Sequence, residues 1–189
     1  QRVAIARTLL TQPKLLLMDE PVSSLDAASR RETIEYIAAL TRSFSLPLLY
    51  VTHDTGEVAR LAGTTVLLED GSVSAFGSTP DVFAGIERVD AGTQTVSILA
   101  AQVSGASGGL CELTFGEQRV RLPMRSQSIG ERVQVRVFAA DVVIASQRVE
   151  NTSIRNILRG VIREIRPLAA GTMEVRIEID AQLLRAQVT

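Results

Sequence analysis

The sequence predicts an α/β domain with a mostly parallel sheet, followed by a smaller β-rich domain. Two short apolar runs, residues 15–18 and 48–52, alternate with helical patterns, as parallel strands joined by crossover helices do. After about Gly92 the pattern changes. Residues 132–137 and 173–180 alternate between apolar and polar types, which indicates half-buried strands. We therefore expect two architectures within 189 residues.

Local signals in the sequence predict the first two helices. Residues 1–10 have a helical pattern, and Pro13 separates them from the first strand. Asp26 can cap a long helix over residues 27–44, because an aspartate at this position accepts hydrogen bonds from the first backbone N–H groups. The apolar side chains expected on one side of this helix are Ile34, Ile37, Ala38 and Phe44.

The next elements are a short helix and a hairpin. Asp54 precedes Glu57 by three residues, the spacing of a capping box, and we expect this helix to reach Leu61. The Asp-Gly pair at residues 70–71 lies between two apolar runs and predicts a hairpin at the margin of the sheet. Thr79-Pro80 predicts another helix start, since proline suits the first turn.

We predict three parts in the chain: residues 1–85 as the α/β domain, 86–94 as a linker, and 95–189 as the β-rich domain. The linker is mixed in pattern and contains Gly92. Short alternating strands separated by glycine turns favour a Greek-key barrel of the OB type for the second domain.

Composition excludes several functions. The sequence is 46% hydrophobic, which supports packed cores, and its net charge of −1 includes no basic block for nucleic acid. Cys111, the only cysteine, cannot form an internal disulfide, and we expect it to be a small buried side chain. No apolar stretch approaches the ~20 residues of a membrane span, and no signal peptide is visible. We expect a cytoplasmic protein.

Two strand ends bring acids and an imidazole to one edge of the predicted sheet. Asp19 and Glu20 follow the first apolar run, and His53, the only histidine, follows the second. Ligands of open α/β sheets bind at this edge. Nucleotide hydrolysis needs a metal on the phosphates, a positioned water and charge stabilisation. We expect Asp19 to hold the metal, Glu20 to orient or deprotonate the water, and His53 to donate to the terminal phosphate.

Simpler explanations exist for each residue taken alone. An Asp-Glu pair after an apolar run is often only a solvated strand end, and a single histidine is more often structural. The combination of both at one edge is much less frequent by accident. It favours a nucleotide hydrolase.

The order of the motifs resembles that of the ABC transporter ATPases. Residues 1–9 resemble the helix after the family's signature motif, with Gln1 as its last residue. Residues 15–20 resemble the Walker B strand with its catalytic glutamate, and residues 51–54 resemble the switch-histidine segment. The resemblance implies ATP and Mg²⁺ as cofactors and a homodimer with the D-loop at its seam. The residues that resemble the D-loop are Ser23, Ser24, Leu25 and Asp26.

Two parts of the family pattern are absent from the sequence. There is no Gly-x-x-x-x-Gly-Lys-Ser/Thr loop, whose backbone amides and lysine hold the phosphates, and no glutamine loop. The sequence also begins in mid-helix and without methionine. We therefore expect a fragment of a longer subunit that binds ATP weakly or not at all by itself.

The β-rich half carries a second resemblance. Residues 152–160 resemble the opening of molybdate-binding Mop or TOBE-type domains, and residues 184–189 match a later stretch of that motif. Residues 139–142 resemble the preceding TOBE segment of importer ATPases. The family motif continues past Thr189, so we expect a truncated barrel.

The second resemblance implies that Ser153, Arg155 and Asn156 bind molybdate or tungstate as a regulatory ligand. A tetrahedral oxyanion needs donors, which a hydroxyl, an amide and successive backbone N–H groups can supply. Arg155 can add charge-assisted hydrogen bonds, or it can instead pair with Glu164 or Glu150. The alternative is that the segment is only a capped turn tied together by Asn156.

Together the resemblances imply the ATP-binding subunit of a bacterial ABC-type molybdate importer, peripheral to the cytoplasmic face of the inner membrane. Its partners would be a second ATPase subunit, integral-membrane permease subunits and, indirectly, a periplasmic binding protein. Three alternatives stay open: an importer ATPase for sulfate, iron, a polyamine or a sugar; a non-enzymatic molybdate storage or sensor module; and a soluble ABC ATPase of DNA repair or translation.

Overall fold

The structure, a computed structural model, describes the chain except for a few short segments. Gln1, the predicted end of the signature motif, and most of the predicted linker lie outside the described residues. So do the side chains of Arg2 and Val3. The described residues are 2–86, 95–123, 128–147, 149–168 and 171–189.

Contacts group the chain into two compact units that divide after Gly63. The domain boundaries predicted from the sequence pattern, residues 1–85, 86–94 and 95–189, stay a prediction. Over the ranges given above, no helix combines the length and apolarity needed to cross a bilayer.

The first unit is built on two parallel strands whose inner face packs against helices. The strands pair in register from Leu16 with Leu48 to Asp19 with Val51. Their inward side chains and the helices form one core around Ile37, which is fully buried. The elements are α1 (Arg2–Leu10), β1 (Leu16–Asp19), α2 (Ala27–Phe44), β2 (Leu48–Val51) and α3 (Thr55–Leu61).

Helix α2 begins and ends as its sequence predicts. The Asp26 side chain accepts hydrogen bonds from the N–H groups of Ala28 and Ser29, at 3.0 and 3.1 Å. Phe44 does not share the buried side of the helix, as was expected, because it lies in the last turn beside the left-handed residue Ser45. Its side chain is 66% exposed.

Helix α3 confirms its predicted cap but forms only half of the capping box. Asp54 accepts from the N–H groups of Gly56 and Glu57, at 2.6 and 3.3 Å. The Glu57 carboxylate does not return to the cap residue. It accepts instead from the hydroxyls of Tyr50 and Thr52, at 2.9 and 2.8 Å. This tertiary pairing buries Glu57.

The second unit begins with a hairpin and a short helix. The hairpin turns at Asp70 and Gly71, both with positive φ, as the Asp-Gly pair predicts. Its two strands pair only with each other among the described strands, so its expected place at the margin of the parallel sheet is not seen. The elements are β3 (Thr64–Glu69), β4 (Ser72–Ser78) and α4 (Thr79–Gly85).

The rest of this unit is two antiparallel sheets that share one core, which contains Leu99, Phe115, Ile179 and Leu184. The chain is thus a mixed α/β protein. Neither sheet closes into a barrel over the part of the chain that the structure describes. The strands are β5 (Val96–Ser107), β6 (Leu110–Phe115), β7 (Gln118–Pro123), β8 (Arg132–Phe138), β9 (Val161–Pro167), β10 (Met173–Ile179) and β11 (Gln182–Val188), in the orders β7-β6-β5-β8 and β11-β10-β9.

The predicted half-buried pattern of β10 is wrong on its polar side. Glu174 and Arg176 are buried, because they pair with each other at 2.9 Å and with further charges. Arg176 also lies 3.6 Å from Glu164, and Arg185 lies 3.8 Å from Glu174. Arg185 in turn donates to the Ala84 carbonyl oxygen at 3.2 Å, which fastens β11 to the end of α4.

Candidate functional site

Parallel pairing carries the predicted site residues to one sheet edge. Asp19 lies beside Val51 in the register of β1 and β2. The Glu20 N–H group donates to the Val51 carbonyl oxygen at 2.9 Å, so the ladder extends one residue past β1. Glu20 therefore leaves its strand at the same level as His53, which follows β2 by two residues.

Glu20 and His53 are in direct contact. The imidazole Nδ1 lies 2.5 Å from the carboxylate Oε1. An ionised carboxylate only accepts, so Nδ1 carries the proton that is donated. This hydrogen bond, together with the negative charge of Glu20, raises the pKa of His53 above its ordinary value. The imidazole is 82% exposed, which leaves Nε2 open to a ligand.

The backbone of Glu20 is unusual for a residue with a side chain. Its φ is +45°, in the left-handed region that glycine prefers. The chain reverses here, and its carbonyl oxygen accepts from the Ser23 hydroxyl at 3.0 Å. A non-glycine residue in this conformation costs on the order of 1–2 kcal/mol. Such strain clusters at functional sites, and here it directs the carboxylate at His53.

A partly buried network supports the segment that carries His53. The Thr52 hydroxyl donates to Glu57 at 2.8 Å and accepts from the Asp54 N–H group at 3.0 Å. Burial and the hydrogen bond to Glu57 raise the pKa of the Tyr50 hydroxyl, so it stays protonated as a donor. The sequence pattern missed this role, because the spacing of Glu57 from Asp54 predicts a capping box.

The turn that resembles the D-loop is fastened to two helices. Hydrogen bonding to Ser29 lowers the pKa of Asp26, so the cap of α2 carries a full charge. Arg30 of the same helix donates from Nη2 to the carbonyl oxygens of Leu25 and Ser23, at 3.2 and 3.5 Å. Its Nη1 lies 3.6 Å from Asp54 Oδ2, at the start of α3.

Asp19 ends β1 with an exposed carboxylate. Across the ranges that the structure covers, no three His, Cys, Asp or Glu side chains are grouped to hold a metal ion. Mg²⁺ is commonly bound through one or two carboxylates together with waters and substrate phosphates. Asp19 therefore fits a magnesium ion that arrives with a nucleotide.

In the second unit, the segment predicted to bind an oxyanion is held against β7. The Asn156 amide oxygen accepts from the Arg121 N–H group at 2.8 Å, and the amide nitrogen donates to the Arg121 carbonyl oxygen at 3.1 Å. Asn156 thus adds one strand-like pair of hydrogen bonds to the edge of the sheet. The side chains of Ser153 and Arg155 are exposed.

The start of the segment is a local turn, in which the Thr152 hydroxyl accepts from the Ile154 N–H group at 3.1 Å. Glu164, which the sequence offered as a partner for Arg155, pairs instead with Arg166 and Arg176. These contacts support the structural interpretation of this segment. The anion-binding role of Ser153, Arg155 and Asn156 stays a prediction.

Close packing explains the glycine at position 160, the last residue of the segment at residues 152–160. A Cβ atom on Gly160 would lie 2.4 Å from Ile177 Cγ2 and 2.9 Å from the Glu178 carbonyl oxygen. The segment itself lines a cavity of about 460 Å³, through Ile154, Asn156, Ile157 and Leu158. The rest of the lining is mainly apolar but also includes the polar side chains of Arg136, Asp141 and Gln147.

Comparison with curated proteins gives one consistent group of relatives. The chain is 39% identical over 169 residues to the molybdenum import ATP-binding protein ModC of Haemophilus influenzae, covering 87% of this chain and 48% of the relative. It is 37% identical over 195 residues to ModC of Rhizobium etli and 39% identical over 197 residues to ModC 1 of Azotobacter vinelandii. Each of these two alignments covers 100% of this chain and 54% of the relative.

The chain thus spans about half the length of the curated relatives it matches. No protein-family model matches it.

Proposed function

Because this chain is homologous to the molybdenum import ATP-binding proteins, we propose that it is part of a subunit that hydrolyses ATP to power molybdate or tungstate import. The observation that carries the proposal is the contact between Glu20 and His53, at 2.5 Å, at the ends of neighbouring parallel strands. A storage or sensor module has no use for this pair.

In the proposed reaction, Glu20 orients or deprotonates the attacking water. His53 donates from Nε2 to the terminal phosphate, where negative charge develops. Donation from Nε2 requires the doubly protonated ring when Nδ1 already donates to Glu20. The raised pKa of His53 favours that form. The contact therefore prepares the imidazole for its role.

Asp19 would hold the Mg²⁺ ion of the nucleotide, directly or through water. The metal supplies neutralisation of the phosphate charge when it is bound. Ser23, Ser24, Leu25 and Asp26 would form the D-loop at the seam of a homodimer, and the cap formed by Asp26 gives this turn a fixed relation to α2.

The first unit also has an apolar face for which we propose a cover. On the sheet face opposite the core, the side chains of Leu15, Leu17, Leu49 and Val51 are 55, 66, 53 and 46% exposed. A two-stranded sheet is rarely stable with such a face in water. The curated relatives are about twice as long as the aligned region, and their additional residues can supply both the cover and a phosphate-binding loop.

We propose further that residues 95–189 form a TOBE or Mop-like domain that senses the oxyanion. Two antiparallel sheets with a shared core are compatible with that architecture. Ser153 and Arg155 would contact the anion, with Asn156 holding or contacting it from β7. The subunit would sit on permease subunits at the cytoplasmic face of the membrane, supplied by a periplasmic binding protein.

Uptake in vesicles tests the cargo. The full-length subunit with its permease and binding protein should accumulate molybdate or tungstate in an ATP-dependent manner, and not sulfate, iron, polyamine or sugar. Accumulation of one of the latter alone would assign another cargo. In the same vesicles, added molybdate should inhibit ATP hydrolysis through the β-rich domain. Unchanged hydrolysis together with no anion binding would remove the sensing role.

A further inference from the structure

One arginine contacts both of the segments that flank the Glu20 and His53 pair. Arg30 lies in the first turns of α2. Its Nη2 group binds the carbonyl oxygens of Leu25 and Ser23, at 3.2 and 3.5 Å, and its Nη1 group faces Asp54 at 3.6 Å. A single guanidinium group thus joins the turn after β1 to the segment after β2.

The geometry of these contacts depends on the fork of the guanidinium group. Its two Nη atoms point in different directions, one to backbone carbonyls and one to a carboxylate. Its Nε atom is buried without a hydrogen-bond partner among the described residues, so the Nη groups make the contacts. A lysine ammonium is one compact charge and cannot span both sides in the same way.

Asp54 links Arg30 to the segment that carries the imidazole. One of its oxygens, Oδ1, caps α3 through the Gly56 and Glu57 N–H groups. The other oxygen, Oδ2, faces Arg30. Asp54 directly follows His53 in the chain, so the contact with Arg30 lies one residue from the imidazole that contacts Glu20.

We propose that Arg30 is a positioning residue that couples the turn at residues 23–26 to the placement of His53. When the turn moves, Arg30 moves with it and displaces Asp54. The distance between Glu20 and His53 then changes. The consequence for turnover rests on the proposed ATPase function. The coupling itself is a property of the first unit and is measurable without a nucleotide.

The test compares Arg30→Gln and Arg30→Lys with Arg31→Gln, a matched control that removes the same charge from the exposed neighbouring position. The comparison uses the full-length subunit, in which the imidazole NMR signals of His53 are identified by their absence in His53→Gln. We expect Arg30→Gln to shift and broaden these signals, Arg30→Lys to restore them only in part, and Arg31→Gln to leave them unchanged.

In the full-length subunit, Arg30→Gln should lower kcat about 10-fold or more while the KM for ATP changes little, since misplaced groups slow the chemical step. Asp54→Asn keeps an acceptor for the cap but removes the charge. Adding it to Arg30→Gln should cause little further loss in kcat, because both changes break one contact.

Imidazole signals that match those of the wild type in Arg30→Gln would overturn the proposal, and so would full restoration by lysine. If Arg30→Gln unfolds, which circular dichroism shows, the lysine and Asp54→Asn variants decide by the same signals. A full-length wild-type subunit without ATPase activity would instead refute the proposed function, and the NMR comparison would still decide the role of Arg30.

Discussion

The Glu20 and His53 pair and the segment at residues 152–160 solve the problem of placing polar side chains in different ways. Glu20 and His53 are 33 residues apart in sequence, yet the pairing of β1 with β2 brings them within 2.5 Å. The second segment has no regular structure of its own. It reaches β7 through the side chain of Asn156, which hydrogen-bonds to the backbone of Arg121.

The difference teaches where a short motif can be trusted. A motif at the end of a paired strand inherits its position from the backbone ladder, so the side chains remain available for chemistry. A motif in an irregular segment must use part of its own polar groups to fix the chain, because unpaired backbone and amide groups are costly. The polar side chains of the first region are therefore available for the proposed chemistry, whereas Asn156 in the second region serves first of all as an anchor.

The largest expected effect is on hydrolysis at the strand ends. In the full-length subunit, Glu20→Gln should lower the rate of ATP hydrolysis by about 10²- to 10⁴-fold, because a neutral amide cannot accept the proton of water. ATP binding, measured by calorimetry, should remain. Glu117→Gln, at an exposed carboxylate in the other unit, serves as the control. Unchanged hydrolysis in Glu20→Gln would refute the role of Glu20, and absence of hydrolysis in the wild-type subunit would favour the storage or sensor alternative.

The next effect tests the packing of the irregular segment. Gly160→Ala should destabilise the β-rich unit by about 1–3 kcal/mol, because the added methyl group meets Ile177 and a backbone oxygen. Chemical denaturation measures the loss. The matched variant is Gly105→Ala, whose methyl group would come no closer than 4.0 Å to Glu112 Cβ and should be tolerated. Equal stabilities of the two variants would mean that the segment does not pack closely on β10.

A smaller effect tests whether Asn156 anchors the segment or binds the anion. Asn156→Ala should cost about 1–2 kcal/mol of stability, because two hydrogen bonds to the Arg121 backbone are lost. Ser153→Ala, at an exposed side chain, should change stability by less than about 0.5 kcal/mol. Denaturation and molybdate calorimetry on both variants complete the comparison. A stable Asn156→Ala variant that no longer binds molybdate would make Asn156 a ligand and not an anchor.

The smallest effect is the pH dependence of the exposed pair. Glu20 raises the pKa of His53 above 6.5, so the folded state binds the proton more tightly than the unfolded chain. This contribution to stability is fully present below the unfolded pKa and is lost as pH rises through the folded pKa. NMR titration should show the His53 pKa returning toward 6.5 in Glu20→Gln. An unchanged pKa would mean that the contact does not persist in solution.

Much of the first unit and the first hairpin of the second could be predicted, because their signals are local. The Asp26 cap, the bounds of α2 and the turn at Asp70 and Gly71 each depend on a few adjacent residues. The proximity of Glu20 and His53 also follows from the sequence, since two apolar runs joined by a helix form parallel strands that end at one edge. The catalytic and anion-binding roles of the named residues stay predictions.

Other features depend on contacts that no local pattern contains. Glu57 has the spacing of a capping box, but Tyr50 and Thr52 offer its carboxylate better partners. Alternation along β10 predicts an exposed polar face, whereas Arg185, from the next strand, pairs with Glu174 and helps to bury it. Such tertiary pairings override periodicity, and only the folded structure reveals them.

The buried Cys111 thiol, 3% exposed in β6, gives this chain an internal probe of local opening. It is the only sulfhydryl, so a thiol-reactive dye can label the protein only when the four-stranded sheet transiently opens. The rate of labelling therefore reports how often that sheet opens locally.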